Sequence, residues 1–463
     1  MARIGAAVRT LRAAKADEEE HAVPQPAVAG RRAAGTRPIG PVLGPGPVAE
    51  TFPDPLARLE QDLWVPPLRD GIAGALALVG AVGRRRLRRS PVVAVVRERV
   101  VTDLGLLGHL TPRHRMLARL DPRPPARRLA AAWRVGRLKT AFGALAADLV
   151  ERTDAELRSL PALTQLGDVT LLRALDRTGL VLRALHAHEV LAGLLLATGE
   201  ATAASAALRA LASARADGLD DAAALARDPV ILALVPPAIG HEHALPPVHA
   251  GLADAAHGDR LGTGAAELRE ALRLRARWVQ ELGARIALEL GARATRRGHL
   301  PNPQTVRHVS LAELHAIILG DLVMLDAASR AAVVDGDPLP AAFRLTAGGH
   351  PVAEAPPRKA HGHVGNGVAP GVGIGPVHTG SDWPPDGAVL VVTALDPRLA
   401  TYLPGLAAVV SETGTALSHV AIVARELGVP VVVGIHDVAS RFEPGTVLEV
   451  DGDTGSVTVG VQP

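Results

Sequence analysis

The stretch from Gly414 to Gly434, GTALSHVAIVARELGVPVVVG, permits few local structures. Val409 and Val410 end an apolar run, and Ser411, Glu412, Thr413, Gly414 and Thr415 form a small polar loop. Leu417-Ser418-His419 then lead into apolar residues at helical spacing, which Gly428 and Pro430 stop. Val431-Val432-Val433 follow as a buried strand. The pattern is strand, loop, short helix, strand, with one histidine on the threshold of the helix. There the first backbone N–H groups lack intrahelical acceptors and the helix dipole is positive, so a negative group carried by His419 is stabilised. Imidazole is nucleophilic near neutral pH and takes up a phosphoryl group covalently. A histidine at a helix start is also a common cap or core residue, so position alone leaves both roles open.

The run Gly-Thr-x-x-Ser-His-x-Ala-Ile-x-Ala-Arg-Glu-x-Gly-Val-Pro-x-Val-Val-Gly resembles the mobile phosphohistidine domain of PEP-utilising enzymes. That group includes phosphoenolpyruvate synthase, pyruvate phosphate dikinase and rifampicin phosphotransferase. The resemblance extends from Gly365 to Val459. It takes in Val368-Ala369-Pro370-Gly371-Val372 at the start, the Asp396-Pro397 turn, and Val450-Asp451-Gly452-Asp453-Thr454-Gly455 at the end. It implies that His419 is the phosphorylated residue and that Gly414, Thr415 and Ser418 stabilise its phosphate. The family usually has a Gly-Gly pair, and often a hydroxyl two places before the histidine; here those positions read Gly414-Thr415 and Leu417.

Arg425 and Glu426 follow on the same helix, and helix geometry separates both from the chemistry. At about 100° per residue Arg425 lies roughly 240° round from His419. Glu426 returns to the face of His419 but about 10 Å further along the axis. Both are expected to hold the domain or to meet a docking partner.

Composition narrows the rest. Hydrophobic residues make up 48% of the 463 residues and aromatics only 2%, so the core is built from Ala, Leu and Val, which suits closely packed helices. The net charge is +3, and arginines alternate with acidic residues as on solvated helix faces. Nucleic-acid binding needs clustered cations with interleaved aromatics, and that pattern is missing. Cysteine is absent, which excludes disulfides and thiolate metal sites. The first residues lack a compact apolar segment of the secretory kind, and Gly71 to Gly83 falls short of the roughly 20 residues a membrane span requires. The expectation is a cytoplasmic protein with neither membrane nor nucleic acid among its partners.

Residues 1–45 have no periodicity and are expected to be a disordered tail. Residues 46–345 carry helical patterns near 56–83, 90–107, 126–154, 169–198, 200–215, 219–234 and 268–294, and Ser310 with Glu313 forms a capping box for a helix closed by Gly320. The run from Leu268 to Phe343 resembles the helical segment that precedes the mobile domain in the same family. Residues 346–366 have the Gly and Pro content of a flexible linker. Residues 367–463 switch to short β-rich runs at 388–393, 407–411, 430–433, 446–450 and 456–459. The expected fold is a large all-helical domain followed by a small swivelling β/β/α phosphohistidine domain.

Other constellations read as structural. Gly371-Val372-Gly373-Ile374-Gly375 looks like a phosphate loop but lacks a following helix and a ribose-binding acid in register. His241-Glu242-His243 lacks the spacing of a zinc helix, His361 and His363 sit in the linker, and His436 reads as a turn residue. His186, His188 and Glu189 lie on an apolar helix, where they line either core or an acceptor groove. No ATP-grasp module and no pyruvate-binding barrel are found in the sequence. The family resemblance therefore implies a transferase that carries phosphate on His419 from a separate ATP-grasp partner, which binds Mg-ATP, to a small-molecule acceptor on the helical domain. No cofactor is expected on this chain. A degenerate carrier that regulates or scaffolds a partner is the alternative.

Overall fold

The computed structural model describes residues 39–45, 48, 51–80, 82–89, 92–106, 123–196, 202–240, 245, 267–320, 339–340, 342–354, 365–379, 382–414, 418–435 and 438–460. The N-terminal part is dominated by helices α1 (Arg58–Val79), α2 (Arg84–Arg89), α3 (Arg123–Ser159), α4 (Asp168–Leu195), α5 (Ala203–Ala216), α6 (Asp221–Arg227), α7 (Leu268–Arg296) and α8 (Leu311–Leu319). Helix α4 packs between α1 and α7, and α3 lies across α4 and α7. Their leucine-rich stripes meet in one core that includes Trp64, Leu171, Leu182, Leu185, Ile286 and Leu290. The ends are capped as the sequence dictates. Ser310 accepts from the Glu313 N–H while Glu313 accepts from the Ser310 N–H, and Gly320 closes α8 in the left-handed conformation.

Two expectations about this region change. Within residues 90–107, expected to be helical, the described stretch forms a hairpin of β2 (Val93–Val96) and β3 (Arg99–Asp103), turned at Arg97 and Glu98, both with positive φ. Ile39–Gly44, placed in the tail, is strand β1, and part of the stretch read as linker is the strand Pro351–Ala353 (β5), paired with Phe343–Leu345 (β4). These strands make one five-stranded antiparallel sheet in the order β2-β3-β1-β4-β5, so the helical region carries a small sheet of its own.

The C-terminal module is a seven-stranded sheet with the order β12-β11-β7-β8-β9-β10-β6. Its strands are β6 (Asn366–Ala369), β7 (Val372–His378), β8 (Val389–Ala394), β9 (Ala408–Thr413), β10 (Val431–Val433), β11 (Val447–Asp451) and β12 (Ser456–Val459). The run β7-β8-β9-β10 is parallel, with antiparallel strands on both sides. Helix α9 (His419–Leu427) covers one face and α10 (Val438–Arg441) the other. Strand alternation explains both layers. Leu390, Val409, Val431 and Val433 point to the α9 side, and Val389, Val391, Val410 and Val432 to the α10 side. On β7, a Cβ at Gly373 would sit 2.0 Å from Ala407 O, and one at Gly375 would sit 2.0 Å from Gly387 O. The glycine run is therefore a strand whose neighbours cross its backbone closely, and it opens no helix.

The module is not isolated from the helices. One apolar cluster runs from Val420, Ala421 and Ala424 of α9 into Leu208 and Leu211 of α5 and the 3-10 turn Pro229–Leu234. At the surface Arg398 pairs with Asp396 and reaches Asp54 at 3.5 Å.

Candidate functional site

The candidate site lies at the carboxyl end of β9, in the centre of the parallel run. In open α/β sheets that edge is where backbone groups are left to bind ligands. Ser411 and Thr413 bring the strand to its end. Ser411 Oγ donates to Thr413 O at 2.7 Å, and Thr413 Oγ1 donates to Thr393 O of β8 at 2.9 Å. The Ser411 carbonyl accepts the Gly434 N–H at 2.9 Å, which ties the end of β9 to the chain leaving β10. Gly414 follows with φ 152°, and a Cβ there would come within 2.9 Å of Leu395 Cδ1 and 3.0 Å of Val433 Cγ1. Only glycine fits that corner without displacing core side chains.

Ser418 is the buried N-cap residue of α9 and His419 is the first helical residue. The first backbone bond of the helix runs from the Ile422 N–H to Ser418 O at 3.0 Å. The N–H groups before it have no acceptor within the helix, and they face the end at which His419 stands. Val420, Ala421, Val423 and Ala424 are all 0% exposed, so the helix is fixed by its apolar face and its N-terminus by the sheet. Gly428, at φ 71°, closes α9, with its N–H directed to Ala424 O and Arg425 O. Thr415, Ala416 and Leu417 lie outside the described residues, as do His241, Glu242, His243, His361, His363 and His436. Gly414, Ser418 and His419 thus belong to one β-loop-α corner.

Arg425 and Glu426 stand at the far end of α9. Arg425 Nε donates to Ala421 O at 3.3 Å, and its charge complements the helix C-terminus. The Glu426 carboxyl turns to α5, where it meets Ser205 and the charge of Arg209. Burial of that carboxyl raises its pKa from 4.5 to about 7, with Glu270 adding to the rise while Ser205, Arg209 and Arg425 oppose it. Glu426 is thus a contact between the module and the helical region.

A second arrangement lies within the helical region. His186 and Glu189 on α4 line a cavity of about 330 Å³ together with Arg269, Arg273 and Gln280 of α7. Burial pushes the Glu189 carboxyl up, but Arg273, His186 and Arg269 outweigh it and bring its pKa to about 2. His188 does not line the cavity; its Nδ1 lies 2.8 Å from Ala184 O and its ring stacks on Phe142. Sequence reading named His186 and Glu189 but not the α7 residues opposite them. The signal was present as Arg269, Arg273 and Arg277 at i, i+4 and i+8, which share one helix face. Among the described residues no group of three or more His, Cys, Asp or Glu is placed to hold a metal ion, and no helix is long and apolar enough to cross a membrane.

Comparison with known proteins agrees with this module. Residues 384–455 match the family described as PEP-utilising enzyme, mobile domain. Phosphoenolpyruvate synthase of Pyrococcus furiosus is 36% identical over 102 residues, covering 21% of this chain and 12% of that protein. An uncharacterised phosphotransferase of Bacillus subtilis is 38% identical over 73 residues, covering 16% of this chain and 9% of its own length. A pyruvate kinase of Geobacillus stearothermophilus is 36% identical over 75 residues, covering 16% of this chain and 13% of its own length. The chain therefore matches about an eighth or less of the length of these relatives. Across residues 384–455 the C-terminal module is similar to the mobile domain of PEP-utilising enzymes.

Proposed function

We propose that this chain is a phosphotransferase component that carries a phosphoryl group on His419. The observation that carries the reading is the placement of His419 as the first residue of α9, behind the Gly414 corner, inside the matched mobile domain. An ATP-grasp partner binds Mg-ATP and supplies the group: a P–O bond of ATP breaks and a P–N bond to the imidazole forms. In the second step the P–N bond breaks, a P–O bond to an acceptor hydroxyl forms, and the hydroxyl proton leaves. Such transfers depend mainly on positioning and on charge stabilisation rather than on covalent help from the protein. Gly414, Thr415 and Ser418 shape the phosphate site, and the α9 N-terminus stabilises its charge. The acceptor is a small molecule held by the helical region.

The test is to mix the full chain with candidate ATP-grasp proteins and ATP labelled at its β and γ phosphates. Acid-labile, base-stable label is expected on His419 and is expected only when a donor protein is present. Label that persists in His419→Ala overturns the assignment. A donor that binds the chain tightly yet leaves it unlabelled favours the regulatory carrier instead.

A further inference from the structure

The cavity between α4 and α7 has walls of Leu68, Ile72, Val190, Val235 and Leu274, and it reaches the surface beside Leu194, which is 51% exposed. Arg273, Arg277 and Glu189 are paired within the protein. Arg273 Nε lies 3.0 Å from Glu189 Oε1, and Arg277 donates to Val235 O at 2.9 Å and lies 3.4 Å from Glu281. What remains without an acceptor is the amide of Gln280, and His186 is held only by a long ion pair to Glu189. Gln280, 2% exposed, has no acceptor for its Nε2. His186, 5% exposed, has no close hydrogen bond at either ring nitrogen; its Nδ1 stands 3.6 Å from Glu189, an ion-pair distance, and its other nitrogen is unmatched. A buried amide N–H and a buried ring nitrogen without hydrogen bonds in one cavity are costly unless something in the cavity satisfies them.

We propose that this cavity binds one neutral, largely apolar molecule bearing a hydroxyl group. The hydroxyl oxygen accepts from Gln280 Nε2 and from a ring N–H of His186. An anionic ligand is disfavoured because Arg273 and Arg277 are already matched by Glu189 and Glu281, and a second anion would meet the ionised Glu189 carboxylate. A hydrocarbon without oxygen fills the apolar part but leaves both polar groups unsatisfied. The use of this ligand as phosphoryl acceptor rests on the carrier reading above, whereas its binding does not.

The test is equilibrium binding of three related probes to the full chain: 1-naphthol, naphthalene and 1-naphthoate. Saturable binding of 1-naphthol at one site is expected, about tenfold or more tighter than naphthalene. Gln280→Leu is expected to bring the two affinities within about threefold of each other. Val190→Trp, which fills the cavity, is expected to abolish binding of both while circular dichroism stays native. No binding of 1-naphthol, equal affinity for naphthalene, tighter binding of 1-naphthoate, or full binding by a folded Val190→Trp chain would each overturn the proposal. Since no phosphoryl donor is present, a negative result here leaves the labelling of His419 untouched, and a failure of labelling leaves this binding untouched.

Discussion

Gly414 turns the chain from β9 toward α9 at φ 152°, with Leu395 and Val433 already packed where a side chain would start. Gly414→Ala therefore combines an unfavourable backbone region with an overlap against two core side chains. A loss of about 1–3 kcal/mol is expected, read as a lower urea midpoint with unchanged slope. A midpoint equal to that of the parent chain would show that the corner relaxes freely. The same glycine was visible in the sequence because a strand, a small polar loop and a helix start leave few other ways to turn. The capping box of Ser310 and Glu313 was legible for a similar reason, since both partners lie within one turn. The cavity residues were harder to find. Gln280 is one polar residue in a long amphipathic helix, and only the packing of α4 against α7 reveals that it is buried without a partner.

At the scale of elements, helix and strand were separable wherever the apolar period was long. Residues 92–103, VVAVVRERVVTD, are a short run in which valines recur at both periods. The decisive feature is the two-residue turn at Arg97 and Glu98, which lacks the usual Asn-Gly signal because both positions adopt positive φ without glycine. The contact between α9 and α5 was equally hidden, because it joins segments far apart in sequence. It yields a pH prediction. The Glu426 carboxyl, with pKa raised to about 7 against Ser205, Arg209 and Glu270, binds its proton more tightly when α9 is packed on α5 than when the chain is unfolded. That contribution is fully present below pH 4.5, is lost as pH rises toward 7, and is absent above it. The fall in urea midpoint from pH 5 to pH 8 should therefore be smaller in Glu426→Gln than in the parent chain. An identical fall in both would mean that the carboxyl titrates no differently in the folded protein.

At the scale of the molecule, the division into a helical part and a β-rich module follows from the change in period, while their shared core does not. The apolar cluster that joins α9 to α5 and to Pro229–Leu234 is built from alanines, valines and leucines that each read as ordinary core of their own element. On the proposed carrier reading the module has to open this contact to visit a second site. The lysines permit a clean test, because the chain has only Lys15, Lys139 and Lys359. Lys139 lies within α3, whose hydrogen-bonded backbone resists a protease that needs an extended segment. Lys359 falls in APPRKAHGHV, between β5 and β6, where Pro and Gly composition suits a linker. A lysine-specific protease should therefore cut after Lys359 while sparing Lys139, and produce a C-terminal fragment of about 100 residues. The buried apolar cluster should hold that fragment on the helical region, so both pieces co-elute on a native sizing column and part only in urea. A fragment that leaves in buffer alone would show the shared core to be too weak to dock the module, and a first cut at Lys139 would place the flexible point within the helices instead.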